Sequence, residues 1–470
     1  MNFTHDLVVI GCGPAGMSAA LVAADCGLKT LVLDEQPRPG GQIYRNITAV
    51  PPAIAALLGP DYRHGATLAS RLVSAGIEVR DRTLVWDVAQ DLTVSAQSDG
   101  RSFQVRAPQL IAATGAMERP SPLPGWTLPG VLNAGAAQIA LKSAFVAPAG
   151  RVVLVGDGPL LLLVACQLLD AGASVAALVQ TSPAGNRARA AAALAGALGS
   201  PGLLAKGLKM LWRLWRARVP MHTGATEVRI EGEAVAQGVS FVAGGARHRL
   251  DADMVLLHHG VVPNTQLSRL LQVRHEWSEA QMAWQPCVDD GYETSLKGFR
   301  VAGDGASIAG ALAAEARGAL AGLAAAQALG RITAEAAHRL ARPWRQKLRQ
   351  QTRIRPFLDA LYRPPPWLAN PADDAIVCRC EEVTAGRIRE MVQLGCQGPN
   401  QTKFFSRCGM GPCQGRLCGL TVTQLLAHEL GRPPLDIGVY RVRSPLKPIA
   451  LASVAAMVRG AEQTTVDLEK

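Results

Sequence analysis

Aromatic side chains are scarce in this sequence, only 4% of 470 residues. The core must therefore be built from aliphatic and small residues. The 47 glycines suit α/β folds with tight turns and close helix–sheet packing. Charged residues make up 18% and hydrophobic residues 49%, which excludes a disordered chain and allows about three domains. No run of 18 uncharged apolar residues occurs; the longest candidate, Leu160–Leu169, fits a buried helix. No secretory signal opens the chain. The expectation is a cytoplasmic protein without a membrane span, its thiols kept reduced. Ten cysteines are too sparse for a disulfide scaffold, and no C-x-x-C pair exists. No Ser/His/Asp constellation and no paired carboxylates stand out, so no catalytic residue is assigned.

The net charge of +11 is unevenly placed. Residues 331–363 hold nine Lys/Arg and two acids, hence +7. No aromatic-interleaved or helix-turn-helix pattern accompanies them, which argues against nucleic acid. Two readings stand: a solvated helical linker, or a docking surface for an acidic partner protein. Pro364–Pro366 should end that helix.

Leu7–Ile10 is a continuous apolar run, as in a strand buried on both faces. It leads into Gly11-Cys12-Gly13-Pro14-Ala15-Gly16, a helix with Ala19, Ala20, Ala23 and Ala24, then a strand over Thr30–Leu33 ending in Asp34 and Glu35. Gly11 permits a tight turn, Gly13 admits a diphosphate to the backbone, and Gly16 lets helix and strand approach. The helix N-terminus stabilises the diphosphate charge, and Asp34 is expected to accept from a ribose hydroxyl. Gly40-Gly41-Gln42 follows. Ala113-Thr114-Gly115 ends the strand Leu110–Ala112, and Val301-Ala302-Gly303-Asp304-Gly305 ends another before an Ala-rich helix.

A second set is degenerate. The strand Arg151–Val155 leads to Gly156-Asp157-Gly158-Pro159-Leu160-Leu161, with Leu161 where a third glycine belongs. The next strand, Ser174–Val179, ends in Gln180-Thr181 without a ribose acid; Arg187 and Arg189 follow at loose spacing. The site at 156–161 is expected to be empty or to hold a second adenine nucleotide, rather than ordinary NAD(P)H. His258 and His259 read as packing or flavin-side contacts. Cys12, Cys26, Cys166 and Cys287 are scattered singly and read as small buried hydrophobes.

Six of the ten cysteines lie between 378 and 418. Cys378-Arg379-Cys380 is followed 28 residues later by Cys408 and then Cys413, with Cys396 and Cys418 as alternates. C-x-C with C-x4-C differs from zinc knuckles and suits the two irons of a [2Fe–2S] cluster; zinc and a ligand-free thiol cluster are the other readings. Gly409, Gly411 and Gly415 would let backbone N–H groups reach the sulfurs.

The three ordered motifs over 1–330 resemble the two-dinucleotide-domain flavoproteins that include thioredoxin and glutathione reductases. In that family the first motif binds FAD. The resemblance implies cofactor contacts from Gly11, Gly13, Pro14, Ala15, Gly16, Asp34, Glu35, Gly41, Gln42, Thr114, Gly115, Gly303 and Asp304. The segment 373–430 resembles the bacterioferritin-associated ferredoxin-like domain, whose ligands match Cys378, Cys380, Cys408 and Cys413. Glu381–Thr384 also fits, with Thr384 as N-cap of a helix over Ala385–Leu394. With Leu123–Gly130 (LPGWTLPG), Val262-Pro263-Asn264 and the tail Arg443–Pro448, the whole chain resembles the FAD subunit of bacterial multisubunit amine dehydrogenases. These include opine oxidases, D-hydroxyproline dehydrogenase and hydrogen cyanide synthase.

That resemblance implies two Rossmann-like α/β domains plus a small helical [2Fe–2S] domain. The expected units are an FAD domain at 1–118 and 256–330, a degenerate nucleotide domain at 119–255, a basic linker at 331–372, the cluster domain at 373–432 and a tail at 433–470. The implied role is electron transfer. The implied partners are a flavoprotein subunit similar to D-amino-acid oxidase, which oxidises a C–N bond to an imine, and a small ferredoxin-like subunit. A self-contained NAD(P)H reductase and a non-enzymatic flavin scaffold are the alternatives.

Overall fold

The computed structural model describes residues 4–455 and 457. The apolar run Leu7–Ile10 is the centre of a five-stranded parallel sheet, ordered Phe299–Val301, Gln109–Ala112, Leu7–Ile10, Thr30–Leu33, Glu78–Arg80. Val9 stands opposite Val32 on one side and Ile111 on the other. All four residues of the central strand are buried: Leu7 and Val9 face helices on one side, and Val8 and Ile10 face the antiparallel strands over 83–106 on the other. The helices Pro14–Asp25 and Ala311–Ala328 pack on one another through small residues. A Cβ added at Gly318 would lie 2.0 Å from the Ala15 carbonyl oxygen, so the two backbones almost touch.

A second parallel sheet is ordered Met221–His222, Ser174–Gln180, Arg151–Asp157, Met254–His259, Val131–Asn133. Each parallel sheet is accompanied by a three-stranded antiparallel one, over 83–106 and 226–251. The chain crosses between the two halves twice, and the crossing strands Ala116–Glu118 and Val261–Pro263 pair antiparallel.

The basic segment forms two helices rather than one, Ala334–Thr352 and Arg355–Leu361. Pro356 lacks an N–H to continue the ladder, which explains the break. Part of its charge is used internally: Lys347 Nζ lies 2.8 Å from the buried Glu315, and Arg355 pairs with Asp359.

The last unit opens with a short hairpin, Ile376–Cys378 with Val383–Thr384. Thr384 caps the helix Ala385–Gln393 by accepting from Arg387 N at 3.2 Å. Three further helices, Pro399–Ser406, Gly419–Leu430 and Pro434–Ile437, complete it. Ile388, Val422, Leu425 and Leu426 form its core around Cys378, Cys408 and Cys418. The unit is fastened to the second sheet domain by Trp126, whose indole N–H donates to Ile376 O at 2.7 Å, and by the Arg229–Asp374 pair. The following segment runs back to the first domain. Arg416 holds Leu446 O at 2.8 Å, Leu446 N donates to Trp86 O at 2.6 Å, and Lys447 pairs with Glu35. The part of the expected tail beyond 457 lies outside the described residues.

Candidate flavin cradle and thiol cluster

The first glycine loop is shaped by close backbone approaches. At Gly11, where φ is +102°, a Cβ would sit 2.5 Å from Ala113 O; at Gly16 it would sit 1.8 Å from Gly11 O. Gly13 faces Gly41, where a Cβ would lie 2.9 Å from the Gly13 Cα. Gly303 abuts Ala15, and Gly305 lies beside Thr114 and Gly115. Residues from four distant stretches thus converge at the carboxyl end of the sheet, where ligands of open α/β folds bind. The helix Pro14–Asp25 starts there without a side-chain cap.

Asp34 is 8% exposed, and its carboxylate accepts from Cys12 N at 2.5 Å and Gln36 N at 2.7 Å. Burial pushes its carboxyl up and the two amides pull it back. It therefore fixes the glycine turn, a task beyond the expected ribose contact. Glu35 points to the returning chain and pairs with Lys447. Gln42 offers its carbonyl to Lys142 Nζ at 3.2 Å. Thr114 Oγ1 donates to Asn264 O at 3.3 Å, and Asn264 N to Gly115 O at 3.0 Å.

Two cations at this cradle are absent from the sequence motifs. Arg45 has a buried Nε without a hydrogen-bond partner; burial pulls its guanidinium down, and Asp34 and Glu35 offset part of that. Lys142 is buried and pushed down to about 7, by burial first and by Arg45 second. An unpartnered buried guanidinium nitrogen on Arg45, with the Lys142 ammonium nearby on Gln42 O and Gln138 Oε1, fits a diphosphate beside a backbone cradle. Arg45 closely follows Gly40-Gly41-Gln42, which is a usable signal. Lys142 lies in a remote helix, and nothing local marks it.

Asp304 Oδ1 accepts from Ala309 N at 2.9 Å and Gly310 N at 3.1 Å, so it braces the entry to the helix Ala311–Ala328. Asp304→Ala is expected to lower stability by about 1 kcal/mol through lost caps and also to reduce flavin occupancy. The flavin-to-protein absorbance ratio and a thermal melt separate the two effects. Full flavin retention with a lowered melting temperature would leave Asp304 a brace only.

The second glycine loop is engaged by its own chain. Leu161 is 1% exposed and packs in the core with Leu162 and Val164. Asp157 is buried, and accepts from Ser182 N at 2.5 Å and Gln180 Nε2 at 3.1 Å. It draws the end of the strand Ser174–Gln180 onto the loop. Asn186 Nδ2 donates to Leu361 O at 3.3 Å and Arg363 O at 2.9 Å, which brings the basic segment over this edge. Tyr362 between them is pushed up to about 12, by burial first and by Asp157 second. Arg189 contacts Asn186 at 3.4 Å. His258 Nδ1 lies 2.6 Å from Glu118 Oε1, and His259 Nδ1 lies 2.8 Å from Ser121 Oγ. Burial first, then His258 and Arg119, hold His259 down at about 3.

The thiols divide clearly. No cysteine is disulfide-bonded; Cys12 and Cys166 are buried, while Cys26 and Cys287 are partly exposed. The sulfurs of Cys378, Cys408 and Cys418 lie within 4.8 Å of one another, all buried. Cys380 and Cys413 engage each other at the more exposed edge. Cys396, though buried, is outside the three-thiol group. Hydrogen bonds from Cys408 and Cys418 pull Cys378 down to about 2, with help from Gly409 N, which donates to its sulfur at 3.4 Å. Gly411 and Gly415 have another use: a Cβ would strike the Cys380 side chain at 2.2 Å and the Tyr440 ring at 2.6 Å. Three grouped thiols with a neighbouring pair are a donor set suited to iron–sulfur ligation. A cleft separates this unit from Val262–Gln266, with Arg416 and Tyr440 on one wall and Asn264 and Trp284 on the other.

Residues 5–328 match the pyridine nucleotide-disulphide oxidoreductase family, and residues 373–458 match the sarcosine oxidase A3 domain. The opine oxidase A subunit of Agrobacterium tumefaciens (strain Ach5) is 44% identical, covering 96% of this chain and 91% of its own. The HcnB subunit of hydrogen cyanide synthase from Pseudomonas aeruginosa is 34% identical, covering 95% and 97%. The crystal structure of L-proline dehydrogenase from P. horikoshii superposes with a TM-score of 0.69 at 18% identity, over 96% of this chain and 79% of that one, which establishes a shared fold. No described helix is long and apolar enough to cross a membrane. The chain belongs to the FAD-dependent pyridine nucleotide-disulphide oxidoreductase family and, within it, to the group of opine oxidase A subunits.

Proposed function

We propose that this chain is the electron-transfer subunit of a multisubunit amino-acid or opine dehydrogenase. A partner subunit, similar to D-amino-acid oxidase, oxidises the C–N bond to an imine. When bound, FAD supplies two-electron acceptance and a [2Fe–2S] cluster supplies one-electron steps. The chain's own residues supply binding and insulation. Gly11, Gly13 and Gly41 admit the diphosphate to the backbone, with Arg45 and Lys142 as neighbouring cations. Thr114, Gly115, Gly303 and Asp304 would line the rest of the flavin, and Cys378, Cys380, Cys408 and Cys413 would hold the irons. The helical unit docks on the second sheet domain through Trp126, and the returning segment ties it to the flavin domain through Leu446 and Lys447.

The carrying observation is the group of buried thiols in a unit facing Asn264 across the cleft, since Asn264 is bonded to Thr114 and Gly115 of the cradle. Co-expression with a flavoprotein subunit similar to D-amino-acid oxidase provides the test. Under anaerobic conditions an amino acid or opine is expected to bleach the flavin and develop the electron paramagnetic resonance signal of a reduced cluster. The same substrates should leave the isolated chain unchanged. Reduction of the isolated chain by the amine would overturn the reading.

A further inference from the structure

Tyr440 is among only five tyrosines and belongs to none of the cysteine or glycine motifs. Its side chain is 5% exposed and lies in the same buried group as Cys378, Cys408 and Cys418. Three glycines make room for the ring. An added Cβ would lie 2.8 Å from Cε2 and Cζ at Gly409, 2.6 Å from Cδ2 at Gly415 and 3.3 Å from Cδ2 at Gly419. Gly409 directly follows Cys408, so the phenol end of the ring sits against the thiol loop.

The backbone that carries Tyr440 is pinned on both sides. Thr423 Oγ1 donates to Gly438 O at 2.8 Å, Asn400 Nδ2 to Val439 O at 3.1 Å, and Arg441 N to Asn400 Oδ1 at 3.0 Å. The backbone position from which the ring enters its slot is therefore fixed. Its hydroxyl is buried and makes no hydrogen bond in this structure. The polar groups beside it are the sulfurs of Cys408 and Cys418, and Cys408 is the one in line to be its partner. A phenol oxygen buried without a partner is destabilising, and phenylalanine would fill the same slot without that cost. The hydroxyl needs an acceptor, and an iron-bound thiolate is a better one than a neutral thiol.

We propose that Tyr440 is a positioning residue for the cluster: its hydroxyl donates a hydrogen bond to the thiolate of Cys408 and thereby raises the reduction potential. The inference rests on the reading of these thiols as iron–sulfur ligands. Reduction adds negative charge that the cysteine sulfurs share, so a donor at sulfur stabilises the reduced form more than the oxidised one. Gly409 N on the Cys378 sulfur acts in the same sense.

The test is a redox titration of the full chain, followed by electron paramagnetic resonance, in the native protein, Tyr440→Phe and Tyr440→Leu. Tyr440→Phe is expected to keep iron and flavin content while the cluster becomes harder to reduce. The oxidised-to-reduced ratio at a fixed potential should rise about tenfold, equivalent to about 59 mV for one electron. Resonance Raman Fe–S bands should shift in deuterated buffer in the native protein, and that part of the shift should vanish in Tyr440→Phe. Tyr440→Leu, which also empties the slot, should shift the potential by a similar amount. A shift in Tyr440→Leu alone would assign the effect to packing and overturn the proposal. So would an unchanged midpoint and an unchanged deuterium shift in an iron-loaded Tyr440→Phe protein. Native protein lacking iron and sulfide would instead overturn the ligand reading on which the proposal rests.

Discussion

Cys378→Ser and Cys408→Ser are each expected to strip the chain of iron and acid-labile sulfide while leaving its flavin in place. Both side chains are essentially inaccessible, at 1% and 0% exposure, so no water can substitute as a ligand. Their neighbours are other thiols and Tyr440, which leaves serine a poor replacement. Cys380→Ala and Cys413→Ala should have the same outcome, because these two thiols engage each other and would serve the second iron. Cys418 tests the assignment most sharply. It lies within 4.8 Å of Cys378 and Cys408, yet it is a fifth thiol for a four-ligand cluster. Cys418→Ala is expected to retain about two irons per chain. Iron and sulfide assays on anaerobically prepared variants decide it: iron lost with Cys418 and kept without Cys413 would exchange their roles. Zinc in place of iron throughout would sink the cluster altogether.

NADH and NADPH are expected to leave the flavin oxidised on the timescale on which a reductase would bleach it. The missing ribose acid removes a charge-assisted hydrogen bond worth roughly 1.5–3 kcal/mol, or about ten- to a hundredfold in affinity. The structure adds a second obstacle. Asp157 closes the strand end onto the glycine loop through Ser182 and Gln180, and the segment around Tyr362 is held across that edge by Asn186. Leu161→Gly alone should therefore not restore turnover, since the third glycine is only one of the defects. Anaerobic stopped-flow with the isolated chain is the measurement. Rapid bleaching by micromolar NADH would promote a self-contained reductase.

The flavin half of the molecule is legible in the sequence because its signals are local. A strand, a glycine loop and a helix follow within twenty residues, and Gly16 is required by Gly11 within the loop itself, although the neighbours of Gly11 and Gly13 lie outside the motif. The thiol cluster is legible as a set of candidates, since cysteine spacing marks ligands. Spacing does not show that Cys418, ten residues beyond Cys408, folds back onto Cys378. Lys142, Tyr362 and Tyr440 carry no signal at all. Each acquires its surroundings from a segment distant in sequence, and no periodicity encodes that. Asp157 is hidden for a related reason. The motif directs attention to an acid after Val179, whereas the carboxylate that serves that strand end comes from inside the preceding glycine loop.

The return of residues 443–448 to the first domain bears on how the chain is made. Leu446 meets Trp86 and Lys447 finds Glu35, so residues of the first domain wait for partners made several hundred positions later. Contacts of such long sequence separation form late in folding. The nascent flavin domain must therefore stand for most of synthesis with this flank exposed. The thiol unit, already docked on the second sheet domain, is tied to the first domain only once that segment arrives. Closure of this strap is thus ordered by translation itself, since it must follow synthesis of the thiol unit.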